Sequence, residues 1–433
     1  MFRYYLDLAV RSFRRNKVLT ALMVLAIALG IGASMTTLTV FYILAKDPLP
    51  GKSDKVFIPQ LDPQDMSQYT PGQEPPDQIS RYDAEALLRA GRADRQALMS
   101  AGAVAVEPER SDLRPFLATA RFTSADFFPM FDVPFRYGRG WSAGEDADRA
   151  RVAVISSDLN RRLFDGRDSV GESLRVDQHE FRIVGVLDDW RPAPRFYDLS
   201  GDLYGETEEV YVPFSTSREL HLTRNGNMSC WADSGGDQTA LNAPCIWMQF
   251  WVELGTLEKV EEYRAFLINY AEQQRAAGRF ERPPNERLRS VREWLDYKQV
   301  VPSDVRLQTW LAFGFLAVCL VNTVGLLLAK FLRRSGEIGV RRALGASRRD
   351  ILMQFLVEAA VIGLAGGALG LLLAYAGLWA VRQQPASYAG LAHLDPMMLL
   401  TTIVLAIGAG LAAGLLPAWH ACQVSPARQL KSQ

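Results

Sequence analysis

Four histidines, His179, His221, His393 and His420, are the first residues to test for chemistry, because an imidazole both moves protons near neutral pH and ligates metals. They are scattered along the chain, and no pair stands at metal-ligand spacing with a cysteine or carboxylate. Gly51, Lys52 and Ser53 read like the end of a phosphate-binding loop. Such a loop needs another glycine five residues before its second one, and Lys46 occupies that place. Asp188, Asp189, Glu206, Glu208 and Glu209 form a loose acidic group that reads as a solvated loop. Cys230 and Cys245 stand among Gly, Asn and Asp. An oxidising compartment would let them pair, closing a loop worth about 3 kcal/mol in the chain-entropy model; two unrelated thiols are the alternative. Cys319 and Cys422 read as packing residues. The expectation is therefore a chain with no catalytic residue, no metal and no bound cofactor.

Interaction chemistry is concentrated elsewhere, in SGEIGVRRALGASRRDILMQFLVEA from Ser335 to Ala359. Gly336, Gly339 and Gly345 are placed to set turns or close backbone approach, and Ile338, Val340 and Leu344 are apolar knobs. Glu337, Arg341 and Arg342 carry charge, with Ala343 and Ala346 completing the pattern. A loop that served only to hold positive charge at a membrane would need the arginines, but not the ordered glycine and apolar positions.

The elements that position this stretch are two uncharged runs of 23 residues, Leu307 to Ala329 and Ala359 to Val381. As helices each is roughly 35 Å long at 1.5 Å per residue, enough to cross a hydrocarbon core of about 30 Å. Val18 to Leu44 and Met397 to Trp419 are uncharged as well. The even balance of 48 basic and 48 acidic residues, with 48% hydrophobic, looks like an ordinary soluble protein only because it averages four such runs with one large polar region. No long basic stripe lies outside the inner loops, which argues against nucleic acid as a partner. Arg333, Arg334, Arg341, Arg342, Arg348 and Arg349 mark the central loop as cytoplasmic. Arg3, Arg11, Arg14, Arg15 and Lys17 before the first run, and His420, Arg428 and Lys431 after the last, put both termini on that side.

The expected fold is a membrane protein of four transmembrane α-helices, with a large α+β periplasmic domain inserted between the first and second spans. The expected segments are an amphipathic interfacial helix over 1–17, spans over 18–46, 305–332, 351–381 and 397–419, and a two-lobed outer domain over 47–304. A cytoplasmic loop over 333–350, a short outer loop over 382–396 and a cytoplasmic tail over 420–433 complete the chain. A cleaved signal peptide is the competing reading of the first span, but its apolar core would be about 7–15 residues, far shorter than this run. Phe2, Tyr5, Leu6, Ala9, Val10 and Phe13 share one helical face against Arg3, Asp7, Arg11, Arg14 and Arg15. This pattern suits a helix lying on lipid, or one packed on a soluble partner.

In the outer domain, strands are predicted over Lys55–Leu61, Arg151–Ile155, Glu180–Leu187, Glu209–Pro213 and Met248–Leu254. Helices are predicted over Arg81–Ser100 and, after an N-cap at Thr256, over Leu257–Ala277. Within the membrane, Gly363 with Gly367, Gly366 with Gly370, and Gly410 with Gly414 have the spacing that lets helices approach closely, within the chain or across a dimer. Asn322 is the strongly polar side chain deep in the second span; it would bond a neighbouring helix of its own chain or help hold a dimer.

These residues carry a resemblance to the MacB/FtsX-type ABC transporter permeases. The segment from Ser335 to Ala359 resembles their cytoplasmic signature. TARFTSADFFPMFDVPFRYGRGWS, RVAVISSDLNRRLF, DSVGESLRVDQHEFRIVGVLDD and EEVYVPFST resemble, in order, their periplasmic domain, and LPAWHACQVSPARQLK resembles their end. Ser335 and Gly336 depart from the basic residues that often precede the Glu, and Thr223 to Pro244 reads as an insertion of this chain's own. The resemblance implies a permease in the bacterial inner membrane that hydrolyses nothing itself. A separate ABC ATPase subunit, holding ATP and Mg, would grip Gly336 to Ala346, where Arg341 and Arg342 could meet its carboxylates. A second permease subunit, the same or paralogous, would complete the membrane part, with membrane lipid around it.

Three functional expectations follow from that resemblance. The foremost is export, with a periplasmic adaptor and an outer-membrane duct. The others are lipoprotein release and FtsX-like signalling to a periplasmic partner.

Overall fold

The computed structural model describes residues 13, 16–110, 112–334, 336, 337, 340, 341, 344–385 and 388–422. The expected interfacial helix over 1–17 lies almost wholly outside these residues. The chain forms two compact units, Lys46–Val300 on the one hand, and Met1–Ala45 with Val301–Gln433 on the other.

Among the described residues, the second of these holds four long helices, Lys17–Leu44, Ser303–Leu332, Arg348–Arg382 and Pro396–Cys422. Each is long and apolar enough to cross a membrane. Their inward sides supply one core, with Met23, Ile27, Ile31 and Met35 of the first span against Leu316, Ile362 and Ala406 of the others. Leucines and valines also line the outside, among them Leu22, Leu25, Leu29, Val318 and Val321. A helix apolar on every side belongs in lipid. The paired glycines work inside this bundle. A Cβ on Gly363 would stand 2.8 Å from the Gly410 Cα, and one on Gly366 would stand 2.7 Å from Ile27. One on Gly370 would meet Ile31 at 3.0 Å, while Gly367 faces Ala406 and Gly414 faces Ala359 at closer range still. The third span therefore packs on the first by one glycine pair and on the fourth by the other.

The inserted unit is a mixed domain with twelve strands among the described residues. In chain order these are β1 (Val56–Gln60), β2 (Ile79–Ser80), β3 (Arg95–Glu107), β4 (Phe116–Thr123), β5 (Phe135–Gly138) and β6 (Val152–Ile155). Then follow β7 (Ser173–Val176), β8 (His179–Leu187), β9 (Val210–Pro213), β10 (Ser229–Cys230), β11 (Cys245–Glu253) and β12 (Arg287–Ser290). The helices are α1 (Arg81–Ala90), α2 (Phe127–Met130), α3 (Ala143–Ala147), α4 (Ser157–Phe164), α5 (Phe214–Glu219), α6 (Leu257–Ala276) and α7 (Val291–Tyr297). Pairing runs β3–β4–β9–β6–β8–β7 and back to β3, a closed ring with β4–β9 and β6–β8 parallel. From β3 the sheet also continues through β11 and β1 to β12. Both halves share β3, and two apolar clusters fill the domain, one with Leu98, Val104 and Phe122 and the other with Ala97, Phe127 and Trp251.

The helix expected over Arg81–Ser100 ends at Ala90. Gly91 turns left-handed, with φ 59° and ψ 41°, and the chain returns as β3. β3 opens with a continuously buried run, Gln96–Ser100, which periodicity alone does not tell from a helix, and alternates buried and half-buried positions only from Ser100 onward. The helix α6 begins where Thr256 accepts from the Lys259 N–H. The aromatic run Phe127, Phe128 and Phe131 packs edge-on against Trp141, Phe196 and Tyr197, so the FFPMF motif serves the core.

Candidate functional site

The loop between the second and third spans is anchored at its base by charge. The Lys330 ammonium lies 2.6 Å from the Glu358 carboxylate, both side chains essentially buried, and Arg334 stands 3.6 Å from the other Glu358 oxygen. Lys330 ends the second span and Glu358 sits within the third, so the pair ties the two helices just above the loop. Removing one partner of a buried pair costs about 3–5 kcal/mol, because the other is left uncompensated. Sequence reading missed this pair. Both residues stand one position outside the uncharged runs used to define the spans. Phe331 and Phe355 pack beside it, with ring centroids 4.0 Å apart. At the far end Ser347 caps the third span, accepting from the Asp350 N–H while Asp350 accepts the Ser347 N–H.

Between these anchors the side chains divide. Arg341 donates to Gln354 at 3.0 Å and to Glu337 at 2.9 Å. Its guanidinium is thus bonded within the chain, whereas the sequence pattern left it open to a partner's carboxylate. Val340 is 58% exposed and Leu344 is 83% exposed. Gly345 has φ +102°, a turn that any other residue would adopt with strain. Gly336 differs from the turn expected there, since it is helical and has open space around it. Ala346 is half-buried. Ile338, Gly339, Arg342 and Ala343 lie outside the described residues.

Asn322 lies exposed on the second span, with no hydrogen-bond partner among the described residues. Of the other sequence candidates, Lys52 bonds Asp132 at 2.6 Å and the Pro129 carbonyl at 3.0 Å, a tie between loops. Cys230 and Cys245 form a disulfide between β10 and β11. Among the described residues no cluster of His, Cys, Asp and Glu gathers to hold a metal. Glu208, read as part of a solvated acidic loop, is instead buried. It accepts from Arg121 and from the Tyr197 hydroxyl at 2.9 Å. Arg121 also reaches Asp198 at 2.9 Å. Burial alone would raise the Asp198 carboxyl, but the Arg121 guanidinium holds it below the usual carboxylate range. The signal available in sequence was the arginine within TARF, a charge in an otherwise apolar strand.

A sequence profile of the MacB-like periplasmic core domain matches residues 20–246, more than half of the chain, and one of the FtsX-like permease C-terminal region matches 310–426. The chain belongs to the MacB/FtsX family of permeases. Its four spans and inserted domain are those of an ABC transporter permease of this family, a multi-pass membrane protein. Among its relatives is the macrolide export ATP-binding/permease protein MacB of Marinobacter nauticus, 24% identical over 438 residues. The protein of the same name in Escherichia coli strain K12 is 26% identical over 444. Each alignment covers 98% of this chain and 60% of the relative, so the chain spans about three-fifths of their length. The periplasmic region of MacB from Actinobacillus actinomycetemcomitans aligns with 60% of this chain and 98% of its own, at 12% identity and a TM-score of 0.37.

Proposed function

We propose that this MacB/FtsX-family permease couples ATP hydrolysis by a separate ATPase subunit, which holds the ATP and Mg, to conformational change in its periplasmic domain, and so drives export of a periplasmic substrate. The chain itself performs no hydrolysis in this reading. It sits in the bacterial inner membrane, with both termini and the loop over 336–346 in the cytoplasm. The single observation that carries the reading is the exposure of Leu344 and Val340 on that loop. Apolar side chains held out from a charged turn gain free energy when a partner covers them, each fully buried one by about 1.5–3 kcal/mol. The Lys330–Glu358 pair below would let a push on the loop reach two spans together. A second permease subunit, identical or paralogous, would give Asn322 the partner that the described residues of its own chain do not. The relatives' name, macrolide export, supports export; an adaptor and an outer-membrane duct would carry the substrate onward.

The test is Leu344→Asp. A carboxylate buried without a partner in the subunit contact costs several kcal/mol, on the order of 3, or more than a hundredfold in affinity. The variant is expected at a normal membrane level, since the loop lies outside the spans, with the ATPase lost on co-purification and transport-linked hydrolysis lost with it. Retention of both removes the loop from the mechanism.

A further inference from the structure

A cavity of about 680 Å³ opens in the inserted domain between α1, α3 and α5, floored by β3. Small-molecule sites fall in the range of roughly 300–1,000 Å³ and pair an apolar wall with a few polar groups. Here Leu88, Leu98 and Phe214 provide the wall. Four arginines line it too, and their pairing differs. Arg81 and Arg89 share Glu85, at 2.7 Å and 3.4 Å, and Arg149 has Glu219 at 3.4 Å. Arg218 has no carboxylate within ion-pair distance among the described residues. It donates to the Thr239 hydroxyl at 3.1 Å and to the Leu222 carbonyl at 2.9 Å, both neutral, and its Nε is buried without an acceptor. Burial, then Arg81 and more weakly Arg224, push its guanidinium below the usual arginine range, although Asp237, which bonds the same Thr239 hydroxyl, pulls the other way.

We propose that this cavity binds a small amphipathic carboxylate, its anionic head on Arg218 and its apolar body along Leu88, Leu98 and Phe214. The two lining carboxylates that have no cation beside them do not compete for the role of host. Asp126 accepts from the Gln96 N–H at 2.9 Å, and Asp146 from the Ala125 N–H at 2.7 Å, so each is engaged with backbone. A planar guanidinium with free N–H groups is suited to a carboxylate, which it can meet with two parallel hydrogen bonds. An anion there would also relieve the repulsion between Arg218 and Arg81. The site requires no contact with an ATPase, so it stands or fails separately from the coupling loop.

The experiment uses the full chain in lipid nanodiscs, with empty nanodiscs as the blank. Its probes are dansylglycine, an aromatic body with one carboxylate, and dansylamide, the same body without the charge. Saturable binding of dansylglycine is expected, at least tenfold tighter than dansylamide. Arg218→Gln should weaken dansylglycine at least tenfold, while Arg224→Gln, outside the cavity lining, should leave it within about twofold. Ala147→Trp fills the exposed mouth of the cavity without touching Arg218 and should also weaken binding at least tenfold; this arm decides if Arg218→Gln does not fold. Equal binding of the two probes overturns the proposal. So does absence of saturation below about 1 mM, or unchanged affinity in folded Arg218→Gln or in Ala147→Trp.

Discussion

Asp146 carries a pH dependence that follows from its position. Burial pushes its carboxyl up to about 6, with Asp126 adding to the rise, although the Ala125 N–H and Trp141 pull the other way. In the unfolded chain an aspartate titrates near about 3.9. The folded domain therefore holds a proton on Asp146 between about pH 4 and 6 that the unfolded chain has released. That proton's contribution to stability is complete below about pH 4 and disappears as pH rises through 6. Two pH units correspond to about 2–3 kcal/mol. Asp146→Asn keeps an acceptor for the Ala125 N–H and cannot ionise. The inserted domain of that variant should melt several degrees higher at pH 7.5 and near the parent's temperature at pH 4, followed by tryptophan fluorescence of the full chain in detergent. Equal melting shifts at the two pH values would show that Asp146 does not titrate in this way. Asp198 is tuned in the opposite direction, because Arg121 favours its charged form.

At the scale of elements, the glycine pairs of the third span set how closely three helices pack. A leucine in place of Gly367 would drive into Ala406 of the fourth span, where even a Cβ has no room. Overpacking of this kind typically costs about 1–3 kcal/mol, more where backbone must move. Gly408 of the fourth span has nothing within contact distance, so Gly408→Leu is the matched control. Thermal melting in detergent should show Gly367→Leu destabilised and Gly408→Leu close to the parent; equal stability of the two would mean that the third and fourth spans do not pack through Gly367. The GxxxG spacing made these contacts legible in sequence, as long uncharged runs did the spans, because both signals are local. The helix over Arg81–Ser100 was misread past Ala90, since Gln96–Ser100 is a continuously buried run, and such a short run does not distinguish strand from helix by its period. The ring of strands was not legible, because β7 meets β3 through residues some seventy apart and no local pattern encodes such a pairing. Lys330 with Glu358, Arg121 with Glu208, and the Arg218 cavity escaped for the same reason: each is made by segments distant in sequence.

For the whole molecule, four spans impose a parity. In the proposed topology the four spans would put both termini on one side of the membrane and residues 46–300 on the side opposite the loop from Arg333 to Ser347. Charge then chooses the direction. Residues 333–349 hold six arginines, against Arg382 alone over 382–396, and basic short loops stay in the cytoplasm. In that topology the Cys230–Cys245 disulfide would lie with the inserted domain on the oxidising side. The cysteines allow a direct test of this topology without new reporters. In intact cells, a membrane-impermeant maleimide should leave the chain unlabelled until mild reduction frees Cys230 and Cys245. Cys319, buried in the second span, should stay unreactive throughout. Cys422, at the end of the fourth span, should react only once the inner membrane is permeabilised. Labelling of Cys422 in intact cells would place the C-terminus outside and reverse the orientation on which the coupling loop depends.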